Sequence, residues 1–134
     1  MMKTLANAMT TTLQTIQAKA NIIAASQEMR DRHVGSLVVI RQGELMRDQE
    51  EEIVGLITET DIIRKVVADE RDLKTTSVDT VMTSPMITVE GSWPIEDAFD
   101  MMKESGVRHL LVTKHQVVVG LVSLRDLIVH LQED

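Results

Sequence analysis

Residues 55–63 read GLITETDII and residues 120–128 read GLVSLRDLI, so one short pattern is written twice. In each, a glycine (Gly55, Gly120) leads to a hydroxyl (Thr58, Ser123), and a carboxylate (Asp61, Asp126) follows three positions after the hydroxyl. Two readings fit where a strand passes into a helix. A hydroxyl at the N-cap with an acid at N3 is a capping box, or a close relative of one since Asp is shorter than the usual Glu. A helix start with unpaired N–H groups and a positive dipole end is also an anion site. There the hydroxyl donates to a phosphate, and the carboxylate one turn on accepts from both hydroxyls of a ribose. On the structural reading, the glycines merely allow strands to pack closely.

Other chemistries find less support. No nucleophile is paired with a base by a recognisable pattern, no glycine-rich phosphate loop of the P-loop kind is present, and the acids are not clustered in apolar context, so catalysis is not expected. His33, His115 and His130 have no ligand spacing with one another and cysteine is absent, so no metal site is expected. The lack of cysteine excludes disulfides and agrees with a reducing cytosol. Of the nine methionines, Met29 and Met102 fall on apolar stripes, where Met fills gaps. The 14 basic and 21 acidic residues give a net charge of −7 with no basic stripe, and the aromatics are Trp93 and Phe99, which argues against a nucleic-acid face. No apolar run of about 18 residues occurs, and residues 1–12 lack the apolar middle of a secretory signal. A soluble, cytoplasmic protein is expected.

The elements that must position the two motifs are themselves repeated. Residues 5–40 lie over residues 78–113 without a gap: Met9 and Thr10 fall on Met82 and Thr83, Ile22 on Ile95, Ala25 on Ala98, Met29 on Met102, and Val34, Leu37 and Val39 on Val107, Leu110 and Val112. The register then shifts because residues 41–52 (RQGELMRDQEEE) stand where the second copy has only residues 114–117, which reads as a lengthened surface hairpin loop. Each copy has a short extended segment (residues 14–17 and 87–90) and then a helix, clearest in Ile95, Ala98, Phe99 and Met102 at i, i+3, i+4 and i+7. Pro94 suits the first turn of that helix. Two apolar runs then form a hairpin, and a second helix follows the hydroxyl, with Ile62, Ile63, Val66 and Val67 or Leu127, Ile128 and Leu131 as its apolar residues. The order is strand, helix, strand, strand, helix, twice. Copy one spans residues 5–68, copy two residues 78–131, and residues 69–77 (DERDLKTTS) link them. Units of about 60 residues bury a small share of their surface, so one pseudo-symmetric domain with a core in two halves is expected, packed through the sheets.

The paired repeat, the opening pieces NAMTTTLQTI and TVMTSPMITV, the segment MKESGVRHLLV and the closing GLITETD and GLVSLRD together resemble a pair of cystathionine β-synthase (CBS) domains, a Bateman module. The resemblance spans about residues 5–131 and leaves no catalytic domain over, so any output is expected to act in trans. It implies an α/β (α+β) fold of two β-α-β-β-α repeats with two clefts between them. It further implies an adenosine-containing ligand there: AMP, ADP, ATP or S-adenosylmethionine. Asp61 with Thr58, and Asp126 with Ser123, then hold ribose and phosphate. Adenine is held around residues 13–16 and 86–89, which include Leu13, Thr15, Met86 and Thr88.

Arg108 and His109 match a place where such proteins often carry a basic residue reaching a phosphate beside the first copy's Asp, whereas Gly35 and Ser36 are uncharged. The Asp61 cleft is therefore expected to be the better equipped, with Arg125 partly compensating at Asp126. Arg108 as a solvated charge and His109 as a structural histidine stand as alternatives. Copy one also has Asn21 where copy two has Pro94. The resemblance implies a homodimer through helices. Two functions remain open: a nucleotide-binding regulatory module that signals to a partner protein, and a ligand-free dimerisation scaffold.

Overall fold

The computed structural model describes residues 3–42 and 51–132. In chain order the elements are α1 (Leu5–Ala8), β1 (Thr15–Gln17), α2 (Ile22–Arg32), β2 (Ser36–Gln42), β3 (Glu51–Thr58), α3 (Glu59–Ile62), which runs on as a π-helical turn over Ile63–Val67, a 3-10 turn at Val78–Thr80, β4 (Thr88–Glu90), α4 (Ile95–Ser105), β5 (His109–Lys114), β6 (Val117–Ser123) and α5 (Leu124–Leu131). Strand, helix, strand, strand, helix therefore occurs twice, in a mixed α and β fold. The two three-stranded sheets have orders β1-β2-β3 and β4-β5-β6. In each sheet the first strand runs parallel to the second across the intervening helix, and the second pairs antiparallel with the third. Both hairpins slip register at matching places, between Val39 and Ile40 and between Val112 and Thr113.

The chain divides into two compact units, one of Gln14–Met86 and one of Met1–Leu13 with Ile87–Asp134. Each unit is thus offset from a sequence repeat by one leading segment. The first has its own apolar core of Ile22, Ala25, Met29, Leu37, Val39, Ile57, Val66, Val78 and neighbours. The second has Leu5, Val89, Ile95, Ala98, Met102, Leu110, Val112, Val122, Leu127 and neighbours. Met29 and Met102 are buried in these cores, as their stripes predict. Leu37, Val38, Val39 and Ile40 are all buried, as are Leu110, Leu111 and Val112. Such unbroken runs mark strands covered on both faces.

Local chemistry explains where the helices begin and end. Asn21 caps α2, its side chain accepting from the Ala24 N–H at 2.8 Å. In the second unit the corresponding Pro94 sits one residue before the helix rather than in its first turn. Its φ of −61° with ψ of 145° leaves it extended, while its carbonyl accepts the Ala98 N–H at 3.2 Å. Asn21 and Pro94 are two solutions to one start. Both helices stop at a left-handed residue, His33 (φ 57°) and Gly106 (φ 69°).

The hairpin loop is shorter than its sequence suggests. Residues 41, 42, 51 and 52, read as part of a loop, are strand, because Arg41 pairs with Glu52 across the hairpin at 3.2 Å; the remainder of that stretch lies outside the described residues. The linker is also pinned: Thr76 is buried, its carbonyl accepts the Ile22 N–H, and the Asn21 side chain donates to Lys74.

Just after the linker, Asp79 accepts from the Ser77 hydroxyl at 2.6 Å and pairs with Lys19 at 2.9 Å. The Ser77 hydroxyl first, and Lys19 second, hold the Asp79 carboxyl below the usual carboxylate range. A carboxyl lowered in the folded state adds stability above its unfolded pKa of about 3.9 and loses it as pH falls through the folded value. Asp79→Asn should lower stability at neutral pH by less than about 1 kcal/mol, because Lys19 is largely exposed. It should also flatten the fall in stability below about pH 4, as read from urea melts across pH.

Candidate functional site

Both repeated motifs fold as strand-to-helix ledges. Thr58 ends β3 and Ser123 ends β6, each with extended backbone. The Thr58 Oγ1 accepts the Asp61 N–H at 3.0 Å, and Asp61 Oδ2 accepts the Thr58 N–H at 3.1 Å. The Ser123 Oγ accepts the Asp126 N–H at 3.1 Å, and Asp126 Oδ2 accepts the Ser123 N–H at 3.0 Å. These are complete capping boxes. In each the hydroxyl serves the box as an acceptor, so the box leaves the hydroxyl proton to donate elsewhere.

The glycine of each motif has a definite cause. In the first unit the segment Met82–Thr83 crosses β3: Leu56 and Thr83 exchange two backbone hydrogen bonds, at 3.0 and 2.8 Å. A Cβ on Gly55 would stand 2.7 Å from the Thr83 carbonyl oxygen and from the Met82 Sδ. In the second unit Met9–Thr10 crosses β6 in the same way. Thr10 and Leu121 exchange bonds at 2.8 and 3.0 Å, and a Cβ on Gly120 would meet Met9 Sδ at 2.6 Å and the Thr10 carbonyl at 3.0 Å. The repeated Met-Thr and the repeated glycine are thus two halves of one contact.

Beyond this shared frame the ledges differ. The Asp61 side chain is only 8% exposed. Its Oδ1 receives the Lys65 ammonium at 2.9 Å, and the Thr83 hydroxyl donates between both oxygens at 3.2 and 3.3 Å. Lys65 also donates to the Val81 carbonyl at 3.1 Å. The Glu59 carboxylate lies over Gly35, where a Cβ would meet Oε1 at 2.6 Å. Around Ser123 the charges are basic instead. Arg108 is exposed and its carbonyl accepts the Leu124 N–H at 2.8 Å. His109 is half-buried and faces Ser123 in the β5–β6 register. Arg125 is exposed in the first turn of α5. Asp126 is half-buried.

The remaining sequence candidates spread over both units. Thr15 opens β1 and is half-buried, and Leu13 and Met86, also half-buried, lie next to the strands. Thr88 is exposed at the start of β4, opposite Leu111. Sequence reasoning missed Lys65 and Thr83 as partners of Asp61. Lys65 had a readable signal, since an acid followed by a lysine at i+4 is a favoured helical pair. Thr83 is distant in sequence and had none. Among the described residues no group of three or more His, Asp or Glu is placed to hold a metal ion, and no helix is long and apolar enough to cross a membrane.

Comparison with known proteins follows the same outline. The CBS domain family model matches twice, over residues 5–68 and 78–133. The mitochondrial CBS domain-containing protein CBSX3 of Arabidopsis thaliana is 33% identical over 106 residues, covering 78% of this chain and 49% of that protein. The chain therefore spans about half the length of that relative. The CBS domain-containing protein YhcV of Bacillus subtilis is 30% identical over 129 residues, 96% of this chain and 86% of its own. Among solved structures, the hexameric CBS-CP12 protein from bloom-forming cyanobacteria superposes with a TM-score of 0.79 at 26% identity, over 96% of this chain and 67% of that one.

The glycine contacts can be checked directly. Gly55→Ala should cost about 1–3 kcal/mol in thermal or denaturant melts, because overpacking there meets a backbone carbonyl that cannot swing aside. Gly120→Ala should cost less, since the nearest backbone atom is 3.0 Å away and the closest atom belongs to a flexible Met9 side chain.

Proposed function

Since the chain belongs to the CBS domain family and carries its domain twice, we propose that it is a regulatory module that binds an adenosine-containing ligand, of the AMP, ADP, ATP or S-adenosylmethionine class, and signals to a partner protein in trans. The observation that carries this reading is the duplicated ledge, in which a hydroxyl and a carboxylate are fixed by reciprocal hydrogen bonds at a helix start. A donor hydroxyl beside helix N–H groups suits a phosphate, and a neighbouring carboxylate suits vicinal ribose hydroxyls. Arg108 and Arg125 supply cations on a chain that is otherwise acidic, and His109 stands opposite Ser123 in the β5–β6 register. Signalling requires only that the ligand prefer one arrangement of the protein over another.

A second reading, a scaffold that works without ligand, is favoured by the apolar residues left exposed on the second helix of each unit. Ile63 is 61% and Val67 57% exposed in one unit, and Ile128, Val129 and Leu131 are exposed in the other. We take these residues as the contact surface of a homodimer, which both readings accommodate. Self-association is also supported by the hexameric assembly of the related CBS-CP12 protein.

Calorimetric titration of nucleotide-stripped protein with AMP, ADP, ATP and S-adenosylmethionine tests the first reading. Saturable heat with at least one is expected, and none from folded protein would leave the scaffold. Arg108→Ala should weaken AMP by about tenfold, as loss of a charge-assisted phosphate contact does, and weaken adenosine far less. Equal losses would remove Arg108 from the phosphate site. Light scattering of an Ile63→Glu, Val129→Glu double variant should show monomers where the parent shows dimers, and an unchanged mass would remove these helices from the interface.

A further inference from the structure

The two ledges share a backbone and a capping box, yet Asp61 and Asp126 do not present the same carboxylate. A carboxylate has about four lone-pair positions. At Asp61, Oδ2 receives the Thr58 N–H at 3.1 Å and the Thr83 hydroxyl at 3.3 Å, while Oδ1 receives the Lys65 ammonium at 2.9 Å and the same hydroxyl at 3.2 Å. Three donors thus bear on its four positions, the Thr83 hydroxyl sharing one proton between the two oxygens. A ribose that brings both of its hydroxyls to Asp61 must displace a neutral hydroxyl or an ammonium, and the charge-assisted bond of the ammonium is roughly twice as strong as a neutral one. Lys65 is held a second time through the Val81 carbonyl at 3.1 Å, so displacing it also breaks that bond.

In the second unit the positions of Lys65 and Thr83 are taken by His130 and Thr10, neither of which carries an ammonium. Local charge points the same way. The first ledge adds the Glu59 carboxylate above Gly35, which repels a phosphate. The second ledge has Arg125 in the first turn of α5, and the residue whose carbonyl takes the first helical N–H there is Arg108, where the first ledge has Gly35.

We propose that Lys65 is a built-in competitor that fills the ribose position of the first repeat, so that Ser123 and Asp126 form the primary ligand ledge and Asp61 becomes available only when Lys65 is displaced. This rests on the reading of the ledges as adenosine sites and reverses the order expected from Arg108 in the sequence. Lys65 acts here as a specificity-determining residue, because it decides how many ligands one chain takes.

Titration calorimetry with AMP on the whole chain, in parent, Lys65→Met, Asp126→Asn and the Lys65→Met, Asp126→Asn pair, tests it. Methionine keeps the length and packing of the lysine stem while removing the ammonium. The parent should bind about one AMP per chain, and Asp126→Asn should weaken this by about tenfold or more, as loss of a carboxylate acceptor does. Lys65→Met should add a second binding event, and the pair should retain that event alone. Thr83→Val removes the other competing donor and should also strengthen binding at the first ledge, which keeps the test open if Lys65→Met folds poorly. Two parent events of similar affinity would overturn the proposal, as would a Lys65→Met protein that melts normally but binds AMP once or more weakly, since Lys65 would then be inert or a ligand contact. Those results would leave the adenosine reading intact. Absence of AMP and adenosine binding in all variants would instead remove that reading, and the competitor with it.

Discussion

The crossing of a Met-Thr segment over the glycine of the closing strand is the contact on which the rest of each unit depends. Two backbone hydrogen bonds join Leu56 to Thr83, and two join Leu121 to Thr10. The close approach uses the missing Cβ at Gly55 and Gly120, most tightly at Gly55, where a Cβ would stand 2.7 Å from the Thr83 carbonyl oxygen. Once the crossing is made, the methionine covers the strand and the threonine lies near the helix start. In the first unit that geometry carries the Thr83 hydroxyl to Asp61 and the Val81 carbonyl to Lys65. A structural bridge thereby becomes part of the electrostatics of a candidate binding ledge.

Much of this was legible in the sequence, because it rested on local pattern. The strands read over residues 14–17 and 87–90 are Thr15–Gln17 and Thr88–Glu90, and the helix read from Ile95, Ala98 and Met102 buries those three residues. The capping boxes followed from residue type and spacing alone. Which closing strand each Met-Thr crosses could not be read, since Met9–Thr10 and Met82–Thr83 match either glycine equally well. Only the folded chain shows that each leading segment leaves its own sequence copy. Helix α1 was hidden for another reason: LANA is a single turn, too short to display a helical period. The apolar residues of the second helices were read correctly as a stripe, but the stripe is wider than the core. Val66 and Leu127 are buried, while Ile63 and Ile128 on the same helices are exposed.

A capping box and a ligand ledge draw on different capacities of the same atoms. The box takes one acceptor position on the hydroxyl and one on the carboxylate. It leaves the hydroxyl proton and the remaining carboxylate positions for other partners. The fold can therefore keep the motif in both repeats for stability, because helix starts without caps cost about 1 kcal/mol. What the remaining capacity does is settled by residues outside the motif. One turn beyond each carboxylate stands Lys65 in the first repeat and His130 in the second. Lys65, together with the Thr83 hydroxyl, turns one ledge inward on its own chain, while its twin has a different neighbour at the i+4 position. Duplication supplies two equal frames, and divergence one helical turn away gives them unequal chemistry.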